Sequence, residues 1–200
     1  IDDMVHLLPT TESNRIVRLF RTSDRFFLMM RHADYVITCT PTLHRLAQAY
    51  NANTSDISST IDTSVYIPIN SYDNEHRLVL GWSGSHSTVP YLHLLDSILQ
   101  KLRNLCDFKL LVMGAKHFEL RGIEVELIDW SVKVEVPTLQ RIDIGLYPLP
   151  NEDWVLGKSG LKALQYMALG IPTVASNIGC NSRVIENGVS GYLVNTSSEW

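Results

Sequence analysis

Gly157-Lys158-Ser159-Gly160 opens an apolar-periodic stretch over Leu161–Leu169, and a second lysine, Lys162, stands in its first turn. At a helix start the backbone N–H groups lack intrahelical partners and the dipole is positive, so the position holds a phosphate. A lysine placed there is unfavourable by itself, and an anion between Lys158 and Lys162 would account for it. The chemistry indicated is the grip of a phosphorylated ligand, with Lys158, Ser159, Gly160 and Lys162 as its candidates. Gln165 follows Lys162 one turn later on the same face, where it could bond ribose hydroxyls. A P-loop is excluded: Gly-x-x-x-x-Gly-Lys-Ser needs glycine at 152, and this chain has Glu152.

A second glycine-bearing turn, Gly81-Trp82-Ser83-Gly84-Ser85, separates an apolar strand pattern from a helical one. Ser83, Gly84 and Ser85 are phosphate-binding candidates there, while Thr88 fits a helix N-cap equally well. His86 reads as ligand, proton donor or plain exposed loop residue. Trp130 and Tyr147 stand at strand ends and are candidates for holding the ribose or base; Trp130 could stack on a base or be buried. No nucleophile elbow, facing carboxylate pair, metal-ligand cluster or Asp-x-Asp motif is present, so no metal is expected.

The elements that must position these residues follow from apolar spacing. Residues 13–32 read as helix, 34–40 as strand, Pro41 to Tyr50 as helix and Ile57–Ile61 as strand. Ser64–Glu75, with Pro68, Asn70 and Asn74, reads as a linker. Beyond it come strands at 78–82, 108–113, 123–128, 142–147 and 171–175, and helices at 89–105, 135–141 and 161–169. Strands alternating with helices give a parallel α/β sheet, with ligands beyond the strands' carboxyl ends. The loops 81–88, 114–117, 129–131, 147–160 and 176–181 should therefore share one rim. Gly170 and Pro172 stop the last helix.

The chain has 200 residues, 45 % hydrophobic and 19 % charged, with net charge −4. That is ordinary for a globular protein of one full domain and part of another, and it argues against nucleic acid. Cys39, Cys106 and Cys180 are far apart, so neither a disulfide framework nor a zinc site is expected, which fits a reducing compartment. No apolar run spans a bilayer. Asn53-Thr-Ser and Asn195-Thr-Ser match glycosylation acceptors and read as chance. Without an initiator Met, and with a helix-like turn at Ser198–Trp200, the chain reads as a piece of a longer protein.

Residues 78–200 resemble the C-terminal, donor-binding domain of a GT-B glycosyltransferase of the retaining family 4 group (glycosyl transferases group 1). The resemblance rests on Gly81-Trp-Ser-Gly-Ser-His-Ser-Thr, Gly145-Leu-Tyr-Pro-Leu, the segment from Gly157 to Ser176, and Val184 to Val194. Residues 1–63 look like the tail of the acceptor-side domain. The resemblance implies a Rossmann-like parallel sheet flanked by helices (one GT-B half, residues 71–200) with a partial second Rossmann-like domain and linker (1–70). It implies metal-independent transfer of a sugar from a nucleotide-diphosphate sugar, the donor substrate rather than a cofactor, to a glycan or lipid-linked acceptor. Polysaccharide biosynthesis in the cytoplasm would be the setting, with peripheral membrane association of the full-length protein left open. The family carries two glutamates where this chain has Gly157 and Gln165, and Lys158 is the expected substitute for a missing cation. Two rivals stay open: a non-catalytic nucleotide-sugar binding module and a GT-B nucleotide-sugar epimerase. The chain alone is expected to be inactive, with an exposed sheet edge at 34–61.

Overall fold

The computed structural model describes residues 1–7, 23–69 and 77–200. Residues 13–22 of the helix expected over 13–32, the end of the linker at 70–75 and the boundary at 70/71 lie outside the described residues. The chain divides into two compact units, one of residues 1–60, 151–160 and 178–180, the other of 61–150, 161–177 and 181–200.

In the first unit, α1 (Ser23–His32) leads to β1 (Val36–Thr38), α2 (Pro41–Gln48) and β2 (Thr54–Asp56). Pro41 begins α2 where its missing N–H costs nothing, and the Thr40 side chain accepts from the Leu43 amide. Asn51 caps α1 by donating to the carbonyls of Met30 and Ala33 at 2.8 and 2.7 Å. β1 and β2 pair in parallel, Val36 with Thr54 and Thr38 with Asp56. The second strand therefore lies before the expected Ile57–Ile61. The Ile57 amide makes the last bond, to the Thr38 carbonyl at 2.7 Å, and the Ile57 side chain is exposed.

The second unit contains the main sheet. Its six parallel strands are β3 (Leu78–Ser83), β4 (Phe108–Met113), β5 (Val125–Ile128), β6 (Ile144–Tyr147), β7 (Thr173–Ser176) and β8 (Gly191–Val194). They lie in the order β5-β4-β3-β6-β7-β8. A 3₁₀ turn-helix at Val89–Leu95 runs into α3 (Asp96–Leu102), and α4 (Val132–Leu139), α5 (Leu161–Ala168) and α6 (Asn181–Val184) connect later strands.

The apolar runs of β3 and β4 are continuous because both faces are covered. Leu80, Trp82, Leu110 and Val112 point to one face with Leu92, Leu95 and Leu99. Val79, Leu111 and Met113 point to the other, with Leu139 and Tyr166. The fold expected for this half is thus the one observed.

Two departures have local causes. The expected α-helix at 89–105 starts as 3₁₀ because Val89, Leu92 and Leu95 are buried at a spacing of three, the 3₁₀ repeat; Leu99, four further on, restores the α repeat. The helix expected at 135–141 occupies 132–139, leaving Arg141 outside it, paired with Glu126 at 2.6 Å. The glycine-rich turn expected at Gly188–Gly191 is present at 188–190, and β8 begins at Gly191. Gly191 is glycine because a Cβ there would lie 2.5 Å from the Thr173 carbonyl oxygen of the neighbouring strand.

Two register-paired glycines set how closely the covering layer approaches the sheet. Gly81 and Gly145 are partners across β3 and β6. A Cβ on Gly81 would lie 2.2 Å from Ile142 Cδ1, and one on Gly145 would lie 2.5 Å from the Tyr166 ring. Gly145→Ala is therefore expected to cost about 1–3 kcal/mol by overpacking. A lowered urea midpoint is the readout, and an unchanged midpoint would show that the ring can yield.

Candidate functional site

Chain connections leave β3 toward β4 and β5 on one side and arrive at β6, β7 and β8 on the other, so the strand order reverses between β3 and β6. At such a switch point the loops diverge and leave a crevice beyond the strand ends. Ser83, at the end of β3, and Tyr147, at the end of β6, stand on that rim. The loops that follow β3, β4, β5 and β6 leave from this same edge, as their parallel pairing requires.

At the end of β3, each expected phosphate-binding amide already has a protein acceptor. The Ser83 amide donates to the Tyr166 hydroxyl at 3.0 Å and the Gly84 amide to the Met113 carbonyl at 3.0 Å. The Ser85 amide donates to Thr88 Oγ1 at 3.1 Å, and that hydroxyl donates back to the Ser85 carbonyl at 3.0 Å. Gly84 has no room for a side chain, since a Cβ would meet the Trp82 ring at 2.3 Å. Thr88 is thus a turn-forming hydroxyl rather than a helix cap, because no side-chain cap bond is made there.

Tyr166 is the residue the sequence reading missed. Its ring fills the trough over Gly145, and its hydroxyl also donates to Ser83 Oγ at 3.4 Å. Burial pushes its pKa from the ordinary 10.0 to about 12, against the opposing pull of its bonds with Ser83. The paired glycines 64 residues apart, Gly81 and Gly145, were the available signal.

Lys162, in the first turn of α5, has its ammonium 5.3 Å from the centre of the Tyr147 ring and 5.7 Å from that of Trp82. Both distances lie within cation–π range. Trp82 and Tyr147 are buried, so they form a rigid apolar seat for one cation. Two strand ends and one helix start are brought together around a positive charge.

Gln165 is buried, and its amide nitrogen donates to the Tyr66 hydroxyl and to Glu135 Oε1, both at 2.9 Å. The structure places it in a bridge between α5, the first turns of α4 and the segment around Tyr66. Burial raises the Tyr66 pKa, its bond with Gln165 lowers it, and the nearby Glu135 raises it again. Trp130, just past the end of β5, is half exposed, a flat indole on the rim. Its Cβ lies 3.8 Å from where a Cβ on Gly114 would stand.

Lys158, Ser159 and Gly160 belong to the first unit. Contrary to the expectation that its ammonium faces an anion shared with Lys162, Lys158 donates to Asp3 Oδ2 at 2.8 Å and lies 5.5 Å from the Trp154 ring. The turn is also closed at Gly157, where a Cβ would lie 2.7 Å from the Met4 amide nitrogen. The partner, Asp3, is remote in sequence and carried no visible signal. Gly160, with φ of +80°, supplies the left-handed residue immediately before α5.

Among the described residues no group of three or more His, Cys, Asp or Glu side chains could hold a metal ion. Among them, too, no helix is long and apolar enough to cross a membrane.

The sequence model of the family described as glycosyl transferases group 1 matches residues 77–200. The chain belongs to that family. Solved structures agree with the fold. HepE of Anabaena, solved with UDP and glucose, matches at 18 % identity and TM-score 0.68, over 89 % of this chain and 55 % of its own. A glycosyltransferase from Rickettsia africae ESF-5 matches at 14 % identity and TM-score 0.66, over 96 % of this chain and 56 % of its own. A mutant of S. aureus TarM, solved with fondaparinux, alpha-GlcNAc-glycerol and UDP, matches at 16 % identity and TM-score 0.62, over 90 % of this chain and 38 % of its own. The chain therefore spans 38–56 % of the length of these structures. No curated protein sequence matches the chain.

The buried Tyr166 makes an alkaline prediction. A group whose folded pKa is raised contributes fully below its unfolded value and loses that contribution as pH rises through the folded one. Stability should fall between pH 10.0 and about 12. Tyr166→Phe should flatten that fall while costing about 1–3 kcal/mol at neutral pH, because it strands the Ser83 amide. Urea titrations at several pH values decide it, and an identical alkaline fall in the variant would refute the assignment.

Proposed function

We propose that this chain supplies the donor-binding half of an enzyme that moves a sugar from a nucleotide-diphosphate sugar to a glycan or lipid-linked acceptor. The observation that carries the reading is Lys162 on its Trp82–Tyr147 seat, at the first turn of α5 and at the switch point of the sheet. A diphosphate leaving group gains negative charge as the glycosidic bond breaks. A cation fixed before the reaction stabilises that charge without having to reorganise, the kind of term that dominates much of catalysis. The α5 dipole adds to it. Family membership supports retention of configuration, with Lys162 and the dipole meeting the charge in place of a metal ion.

Trp130 is assigned to the base, as an exposed indole on the same rim. Gln165 is assigned to the ribose end through its carbonyl oxygen, since its nitrogen is held by Glu135 and Tyr66. Ser83, Gly84 and Ser85 form the floor of the diphosphate site; their amides have protein acceptors, so the Ser83 and Ser85 hydroxyls are the groups assigned to the ligand. Lys158 is assigned to its ion pair with Asp3. The setting assigned is glycan or polysaccharide synthesis on the cytoplasmic side.

One rival retains a specific support. The engaged Lys158 and the engaged amides at 83–85 also suit a module that binds a nucleotide sugar without transferring it. Product formation from UDP-, GDP- and ADP-sugars by the intact protein separates the two, and no product with any donor despite tight binding would favour the binding module.

Lys162→Ala should weaken nucleoside-diphosphate affinity by about ten- to a hundredfold, the equivalent of about 1.5–3 kcal/mol for a charge-assisted contact. Lys158→Ala should change it less than about twofold, which is under about 0.5 kcal/mol. Calorimetric titration with UDP measures both. Equal losses for the two variants would return Lys158 to the site, and no loss at Lys162 would remove the proposal's anchor.

A further inference from the structure

A cavity of about 450 Å³ in the second unit is lined by His86, Val89, Pro90, His93, Lys116 and His117. It lies to one side of the switch point, where the loop after β3, the 3₁₀ turn-helix and the loop after β4 meet. Three imidazoles and an ammonium surround it, and no carboxylate is among its lining residues. This is a concentration of basic nitrogen in a chain whose net charge is −4.

The side chains are spaced for something larger than an ion. Three histidines converging on one point would form a metal site, yet among the described residues no such group could hold a metal. His93 is fixed in orientation: its Nδ1 lies 3.1 Å from both carboxylate oxygens of Asp96, and its ring is 4.8 Å from that of Phe118. Its Nε2 is the ring nitrogen left for a ligand. Val89 is buried and supplies an apolar floor, which strengthens any charge contact made above it.

We propose that this cavity binds a phosphoryl group, apart from the Lys162 site. A tetrahedral dianion offers acceptor oxygens in several directions, matching N–H donors that arrive from three separate segments. The charged and titratable groups around it are His86 on the loop after β3, His93 on the 3₁₀ turn-helix, Asp96 on α3, and Lys116 and His117 on the loop after β4. The phosphoryl group could be carried by a soluble phosphorylated sugar or polyol, or by a lipid headgroup; the chemistry at the pocket is the same.

Titration of the chain with inorganic phosphate, followed by the histidine imidazole NMR signals, tests the site. The expected result is a saturable shift of three histidine signals. It should be lost in Lys116→Ala/His117→Gln and retained in Lys162→Ala. Absence of saturation, or survival in the double variant, overturns the proposal, and so does loss in Lys162→Ala, which would place the phosphate at the other site. Glycerol 3-phosphate and phosphatidic acid vesicles, against phosphatidylcholine vesicles, separate the sources. Competition by glycerol 3-phosphate alone supports the soluble carrier. Co-sedimentation with phosphatidic acid vesicles, lost in the double variant, supports the lipid one. Co-sedimentation that persists in the double variant counts against the pocket.

Discussion

The placement of α5 depends on the contact between the Tyr166 ring and a strand that carries no side chain where the ring lands. Gly145 leaves the space, and the Tyr166 hydroxyl reaches past it to the amide and hydroxyl of Ser83. A helix is thereby pinned to the end of the strand beside the reversal in strand order. Lys162 stands four residues before Tyr166, about one turn earlier, so fixing the tyrosine also fixes where the ammonium emerges. Position in the crevice is set from the buried side of the helix rather than by the loop that precedes it.

This arrangement explains the mixed character of the crevice. The expected grip is a ring of backbone amides with two lysines. In the structure the amides at 83–85 hold the loops together, and one lysine is joined to Asp3. The groups assigned to a ligand are instead a cation on an aromatic seat, hydroxyls and an exposed indole. Preorganisation is therefore achieved by packing: Trp82 and Tyr147 are buried, and neither can move without disturbing the sheet.

Much of the fold was legible because it follows from periodicity. The runs at 78–82 and 108–113 are apolar on consecutive positions, which requires a strand covered on both faces, and both strands were found there. Boundaries were less legible where two signals compete. Gly191 reads as a turn residue until the Thr173 carbonyl beside it is known, and Ile57 reads as strand core although it is exposed. Lys162 was singled out from local chemistry alone. Tyr166 was not, because an aromatic at helical spacing reads as core, and its function depends on Ser83, 83 residues away. The Asp3 partner of Lys158, 155 residues distant, was beyond any local pattern.

The glutamine at 165 has a physical reason of the same non-local kind. Its nitrogen donates to two acceptors, the Tyr66 hydroxyl and a Glu135 oxygen, in a buried position. A carboxylate at 165, the residue type the family resemblance led one to expect, has no hydrogen to donate when ionised. It would set a second negative charge about a hydrogen-bond length from Glu135, and one of the two would have to take up a proton. The amide removes that conflict and links three segments with hydrogen bonds. The charge at this corner thus comes from α4 rather than from α5, so that the departure at 165 and the presence of Glu135 are one constraint expressed at two positions.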